Sequence, residues 1–177
     1  MSEQVRAIRG GRLIDGTGNA PVDNGVILVE ADRIKAIGDA SNIEIPPGAE
    51  VIDATGKTVM PGLIDAHLHF LGISSPNQAT WVIDSPYVRG MRAVMDAWRI
   101  IDSGFTSVRD AGGMLAIFLK SAISERSIVG PRIIAAGKAI SQTAGHADWH
   151  FVPKEWGERM MLGRIADGVS EVRKAAR

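Results

Sequence analysis

The sequence predicts an α/β protein in two parts, a β-rich opening module over residues 1–59 and a run of strand–helix units over residues 60–177. Three observations predict it. Short β-like runs broken by Gly, Asn, Asp and Pro fill the first part. After Pro61-Gly62 the rhythm changes to short apolar strands alternating with helical stripes, the pattern of a parallel sheet with crossover helices. The composition, 45% hydrophobic and 23% charged over 177 residues, is that of a globular chain able to bury a sizeable core.

In the opening module the runs are Ile8 to Ile14, Gly25 to Glu30, Arg33 to Ile37 and Val51 to Ala54. Glu30-Ala31-Asp32 suits a tight hairpin between two of them, and Ile45-Pro46-Pro47-Gly48 is a chain break. The module offers few convergent polar groups, so it reads as a sheet that packs and does no chemistry. In the second part three strands are readable: Leu63 to Phe70, Phe105 to Asp110 and Arg132 to Gly137. Pro86 to Ser103 predicts a helix whose stripe of Val88, Met91, Val94 or Met95, Trp98 and Ile101 faces the core, with Gly104 ending it. Met114 to Glu125 predicts another through Leu115, Phe118, Leu119 and Ala122, closed by Gly130-Pro131. Lys154 to Arg177 reads as one or two further helices, with Asp167 as an N-cap and Val169, Val172 and Ala176 on one face.

Length limits what the second part builds. It is about half of the ~250 residues that a closed eight-stranded βα barrel needs. An open three-stranded parallel sheet exposes an edge, which calls for a missing segment or a partner chain to pair with it. The expectation is therefore an incomplete barrel, complemented by the missing C-terminal half or by a homo-oligomeric partner.

Charge and cysteine usage exclude other classes. Lys plus Arg and Asp plus Glu each number 20, so no basic field attracts nucleic acid or anionic lipid. Cysteine is absent, which rules out disulfides and thiolate ligands and leaves His, Asp, Glu or a modified side chain to hold any metal. Neither a signal-like apolar stretch at the start nor a run of about 18 apolar residues occurs, so a cytoplasmic setting is expected.

Chemistry concentrates in Met60-Pro61-Gly62-Leu63-Ile64-Asp65-Ala66-His67-Leu68-His69-Phe70. Side chains alternate along a strand, which predicts His67 and His69 on one face with Asp65 below them and Ile64, Ala66 and Leu68 on the other. The histidines then sit at the carboxyl end of the strand, where βα barrels keep their active sites. A bare His-x-His arises by chance, but a Pro-Gly break, a short apolar strand and two convergent imidazoles have few structural reasons to occur together. Neutral imidazole is a common ligand of zinc and similar ions, so His67 and His69 are candidate metal ligands. Asp65 is a candidate to orient one of them, or a satisfied buried carboxylate.

Pro61-Gly62-Leu63-Ile64-Asp65-Ala66-His67-Leu68-His69 resembles the first metal-binding strand of the amidohydrolase superfamily. Val51 to Met60 resembles that superfamily's link from an N-terminal β-sandwich into its (β/α)8 TIM barrel. Gly104 to Gly113, Gly130-Pro131-Arg132 and Gly145-His146-Ala147-Asp148 resemble the branch of imidazolonepropionase-like and Xaa-Pro dipeptidase (prolidase-like) enzymes. The resemblance implies part of a β-sandwich followed by the first three βα units of a metal-dependent barrel. It also implies one or two divalent ions, usually zinc, that activate water against the C–N bond of a small amide or dipeptide. His67 and His69 would bind one ion, while the bridging lysine, later histidines and general base would lie beyond Arg177. The reading is a prolidase-like dipeptidase portion, inactive alone. The alternatives are a cyclic-amide hydrolase of the imidazolonepropionase kind and a non-catalytic half of a split enzyme. By the same resemblance His146 is a candidate substrate contact, an ordinary exposed histidine being the competing reading. His150 lies four residues on, but Gly145 and Pro153 disfavour the helix that would turn both rings to one metal. Trp149 and Trp156 are pocket candidates or packing residues, and Arg109-Asp110 reads as an ion pair at the barrel rim, a role in catalysis being the competing reading.

Overall fold

The computed structural model describes residues 4–149, 152–159 and 162–177. The chain divides between Pro61 and Gly62 into two compact units. The first holds β1 (Val5–Leu13), β2 (Val22–Glu30), β3 (Arg33–Asp39), β4 (Glu50–Asp53) and β5 (Thr58–Val59). The second holds β6 (Leu63–Leu68), α1 (Gln78–Ile83), α2 (Pro86–Asp102), β7 (Phe105–Asp110), α3 (Leu115–Ser124), β8 (Arg132–Ala135), β9 (Ala139–Ser141), α4 (Lys154–Arg159), β10 (Gly163–Ile165) and α5 (Gly168–Ala175). This is the mixed α/β architecture read from the sequence: an N-terminal sheet, then alternating βα units.

In the first unit β2 pairs antiparallel with both β1 and β3, and β4 and β5 run parallel to β1 along its other edge. Ala31, in the left-handed region at φ 52, makes the tight turn between the paired residues Glu30 and Arg33. Ala7, Val26 and Leu28 form the buried centre, with Ala36, Ile43 and Ile45 packed on them.

The second unit is built on a parallel sheet of order β6-β7-β8. Its helix-covered side buries Val108 of β7 and Ile133 of β8 against Ala93 and Ala97 of α2 and Leu115, Ala116 and Leu119 of α3, with Phe70 in the same cluster. The expected core stripe of α2 is corrected in part: Val94 packs on the core, but most of the stripe does not. Val88, Met91, Met95 and Trp98 are all exposed, whereas Arg89, Ala93 and Ala97 are buried. Short alanine side chains let the helix backbone come close to its neighbours, and the bulkier stripe turns outward. Phe118 of α3 is likewise exposed, and Leu115, Ala116 and Leu119 do the packing. The C-terminal segment differs from a purely helical reading as well: β10 separates α4 from α5 and pairs parallel with β9. Asp167 is the N-cap of α5, but its carboxylate accepts from the Thr143 amide and hydroxyl instead of from the helix. Glu171, in the first turn, reaches back to accept the Asp167 amide. No helix among the described residues is long and apolar enough to cross a membrane.

The loop after β6 is held to α2 from two sides. Arg89, 2% exposed, donates from Nε to the Leu71 carbonyl at 2.8 Å, and burial draws its guanidinium pKa down. Gly72 packs on the backbone of Arg89: a Cβ there would lie 1.9 Å from the Arg89 carbonyl oxygen, and its φ of +58° is unfavourable for other residues. Gly72→Ala is therefore expected to lower stability by on the order of 3 kcal/mol or more, measured as a loss in chemical denaturation. Retention of wild-type stability would show that α2 and the loop are not in backbone contact.

Candidate metal centre

The site stands at the carboxyl end of β6, and its geometry is set by how β6 pairs with β7. The register runs Ile64 opposite Ser107, Asp65 opposite Val108, then Leu68 opposite Asp110, so one extra residue of β6 is accommodated between Asp65 and Leu68. Paired residues of parallel strands share a face. Leu68 therefore lies on the side of Asp110 and Val108, and it packs against the helix-side core. His67 and His69, flanking Leu68, project from the opposite side. Their ring centroids are 5.3 Å apart at an interplanar angle of 73°.

The irregularity corrects strict alternation below the histidines. Asp65 pairs on the core side with Val108, and Ile64, 71% exposed, lies on the side of the histidines. Asp65 does not orient an imidazole ring: its Oδ1 accepts the backbone amide of His67 at 2.9 Å, a local bond two residues along that supports the kink.

His69 has a definite orienting partner. Its Nδ1 lies 2.9 Å from the Gly112 carbonyl oxygen, and a carbonyl only accepts, so Nδ1 carries the proton. In the neutral ring the lone pair is then on Nε2. Metal-bound histidines are commonly held this way, with the nitrogen that does not bind donating to a carbonyl or carboxylate.

Gly112 is itself fixed by Asp110, which is wholly buried. Asp110 Oδ1 accepts the Gly112 amide at 2.9 Å, and Oδ2 accepts the Phe70 amide at 2.7 Å. Burial pushes its carboxyl above the ordinary range, against the pull of those two amides and of His69. At exposed Asp53 the same i+2 arrangement has the opposite outcome: the Thr55 hydroxyl and amide hold that carboxyl below the ordinary range. The rim ion pair read from Arg109-Asp110 is corrected, since no ion pair joins them among the described residues. As neighbours on a strand they face opposite ways, Arg109 exposed and Asp110 buried.

A cleft of about 610 Å³ opens beside His69. Leu71, Trp81, Ala139 and Trp149 give it apolar walls, and Gln78, His146 and Asp148 add polar groups. The Trp81 and Trp149 rings lie 5.3 Å apart, tilted by 58°, and Trp81 donates from Nε1 to the Ser75 carbonyl. His146 is exposed on the loop after β9 and borders the same cleft as His69. Trp156 is half exposed on α4 and takes no part in the lining. His150 lies outside the described residues.

The donor set fits a divalent ion in part. Two imidazoles whose nitrogens lie about 2 Å from one tetrahedral ion have ring centres roughly 5 Å apart, which matches the observed spacing. Among the described residues no group of three or more His, Asp or Glu side chains that could hold a metal assembles, so these two rings would supply only part of a coordination shell. Sequence reading missed Asp110, the Gly112 carbonyl and Trp81. The first two were signalled by Asp110-Ala111-Gly112-Gly113 at a strand end, Trp81 by nothing local. Trp81→Leu is expected to abolish the near-ultraviolet circular-dichroism signal of the indole pair. It should also cost about 1 kcal/mol of stability from the lost ring contact; an unchanged spectrum would dissolve the pair.

Residues 58–177 match the Amidohydrolase family. Over 98% of its length the chain is 33% identical to the ochratoxinase of Aspergillus niger, of which it spans 39%, and it superposes on that enzyme's crystal structure with a TM-score of 0.85. A prolidase crystallised with N-methylphosphonate-L-proline shares 33% identity and a TM-score of 0.82 over 97% of this chain and 43% of that one. A Xaa-Pro dipeptidase with methionine bound in its active site shares 33% identity and a TM-score of 0.79, over 98% and 44%. The chain thus spans about two fifths of the length of these relatives. It belongs to the amidohydrolase family, whose members work through divalent metal ions.

Proposed function

We propose that His67 and His69 hold a divalent metal ion, zinc by the chemistry of the donors, in an enzyme that hydrolyses the C–N bond of a small amide or dipeptide. The observation that carries this reading is the pair of rings 5.3 Å apart at a strand's carboxyl end, with the His69 Nδ1 proton committed to the Gly112 carbonyl. Bound there, such an ion supplies Lewis acidity, which activates water and polarises a carbonyl oxygen at neutral pH. The chain's own residues do the rest of what is visible. His67 and His69 present nitrogen donors, Gly112 holds the His69 ring in one tautomer, and the walls of the adjoining cleft exclude water from an apolar group of the substrate.

Within that class a prolidase-like dipeptidase is the specific reading, supported by the prolidase and Xaa-Pro dipeptidase among the similar structures. His146, on the same cleft as His69, serves as a contact for the substrate's carbonyl or carboxylate. No third donor joins the two histidines among the described residues, and on this reading the remaining length of the longer relatives supplies further ligands and the proton-transferring group.

Two measurements test the proposal. In the full-length enzyme His67→Asn and His69→Asn should each lower zinc affinity at least tenfold and remove Xaa-Pro hydrolysis, with the folded structure preserved by circular dichroism. The 177-residue chain with added zinc should show no turnover. Zinc affinity unchanged in both variants sinks the metal assignment, and hydrolysis by the isolated chain sinks the need for outside ligands.

A further inference from the structure

We infer that Asp110 is a positioning residue for His69, acting through the Gly112 carbonyl to fix which ring nitrogen faces a metal. The inference rests on the reading of His69 as a ligand. One buried carboxylate holds both neighbours that determine the ring. Oδ2 accepts the amide of Phe70, the residue that follows His69 in the chain, and Oδ1 accepts the amide of Gly112, whose carbonyl takes the Nδ1 proton.

Closing the loop after β7 does not require this carboxylate. That loop is already tied by the Ala111 amide on the Leu68 carbonyl at 3.0 Å and by the Gly113 amide on the Gly137 carbonyl at 2.7 Å. An acidic group at zero exposure with no ion-pair partner among the described residues is costly. What it adds is acceptance of two amides at once, with no donor of its own. Space enforces the arrangement from the other side: a Cβ on Gly112 would lie 3.1 Å from Ala139 Cβ and 3.6 Å from His69 Cε1, so the peptide has little room to swing. A carboxamide keeps the shape of the side chain but must turn an NH2 towards one of the two amides. Asp110→Asn therefore releases either Phe70 or Gly112.

The test is imidazole nitrogen NMR on the metal-free full chain, with zinc affinity measured alongside. Wild-type His69 should be the Nδ1–H tautomer, with the Phe70 and Gly112 amides protected from hydrogen exchange. Asp110→Asn should populate the Nε2–H tautomer and weaken zinc binding by on the order of 10–100-fold, a change in ring state that a purely structural role would not produce. Wild-type tautomer and affinity in Asp110→Asn overturn the inference. If that variant does not fold, the wild-type protein decides: an Nε2–H tautomer at His69, or free exchange of either amide, overturns it, and the expected pattern upholds it. Loss of the metal reading is seen separately, as wild-type zinc affinity that does not depend on His69, while the tautomer still reports on Asp110.

Discussion

Where β6 stands in register with β7 decides what this sequence can do. A β-strand has a side-chain period of two, so a slip of one residue exchanges its faces. The chain uses two such slips, one between Leu63 and Ile64 at the start of β6 and one just below the histidines. Asp65 pairs with Val108 and Leu68 with Asp110, and the extra residue between them is absorbed where the Asp65 carboxylate takes the His67 amide. Above this second slip Leu68 enters the core and the two histidines leave it together. Had regular alternation continued upward from Asp65, His67 and His69 would have pointed into the apolar cluster of Val108, Ala93 and Ala97, where unpaired imidazole nitrogens are costly.

The placement of the histidines is coupled to the packing beneath them. Phe70 is buried with Val108 and the helix residues, and its amide is the one held by Asp110. The next turn of chain is clamped by Arg89 on the Leu71 carbonyl and by the close approach of Gly72 to α2. His69 is thus followed by three residues, the first fixed by β7 and the next two by α2. A side chain supported in this way would lose little freedom on binding a metal as proposed, because most of that freedom was surrendered on folding. Part of the stability of the helix layer is in effect spent on the geometry of the ring.

Much of this was legible in the sequence where the signal is local. β7 has the bounds its apolar run predicts, Pro61-Gly62 marks the change from the opening sheet to the βα units, and Ala31 makes the expected hairpin turn. The nonlocal features were not legible. Periodicity selected the bulky side of α2 because hydrophobicity scales weight size, while the packed side is the one whose small residues allow close approach. The β9–β10 ladder joins segments more than twenty residues apart, and each strand has only three residues, too few for a period to register. The slip just below the histidines leaves no mark in composition, so Asp65 seemed to stand below them on their own face. Asp110 was visible only as half of a charged pair; its burial and its two amide partners depend on the closure of a loop.

The sheet of the second unit has two unlike sides, and the site takes its character from that difference. The side under α2 and α3 is filled, with Val108 and Ile133 at 1% and 3% exposure. On the other side Ile64 and Ile134 stand at 71% and 62% exposure, beside the histidines and Arg109. Apolar residues at such exposure on a parallel sheet are unusual, since such sheets are normally covered on both faces. In relatives more than twice as long, the remaining chain is the natural source of that cover. Covering Ile64 and Ile134 would also lower the dielectric around His67 and His69, and in a dry site charge stabilisation by an ion is stronger than in water. The apolar surface that the second unit leaves uncovered and the partial shell proposed for its two imidazoles would both be completed by chain packed over that one face.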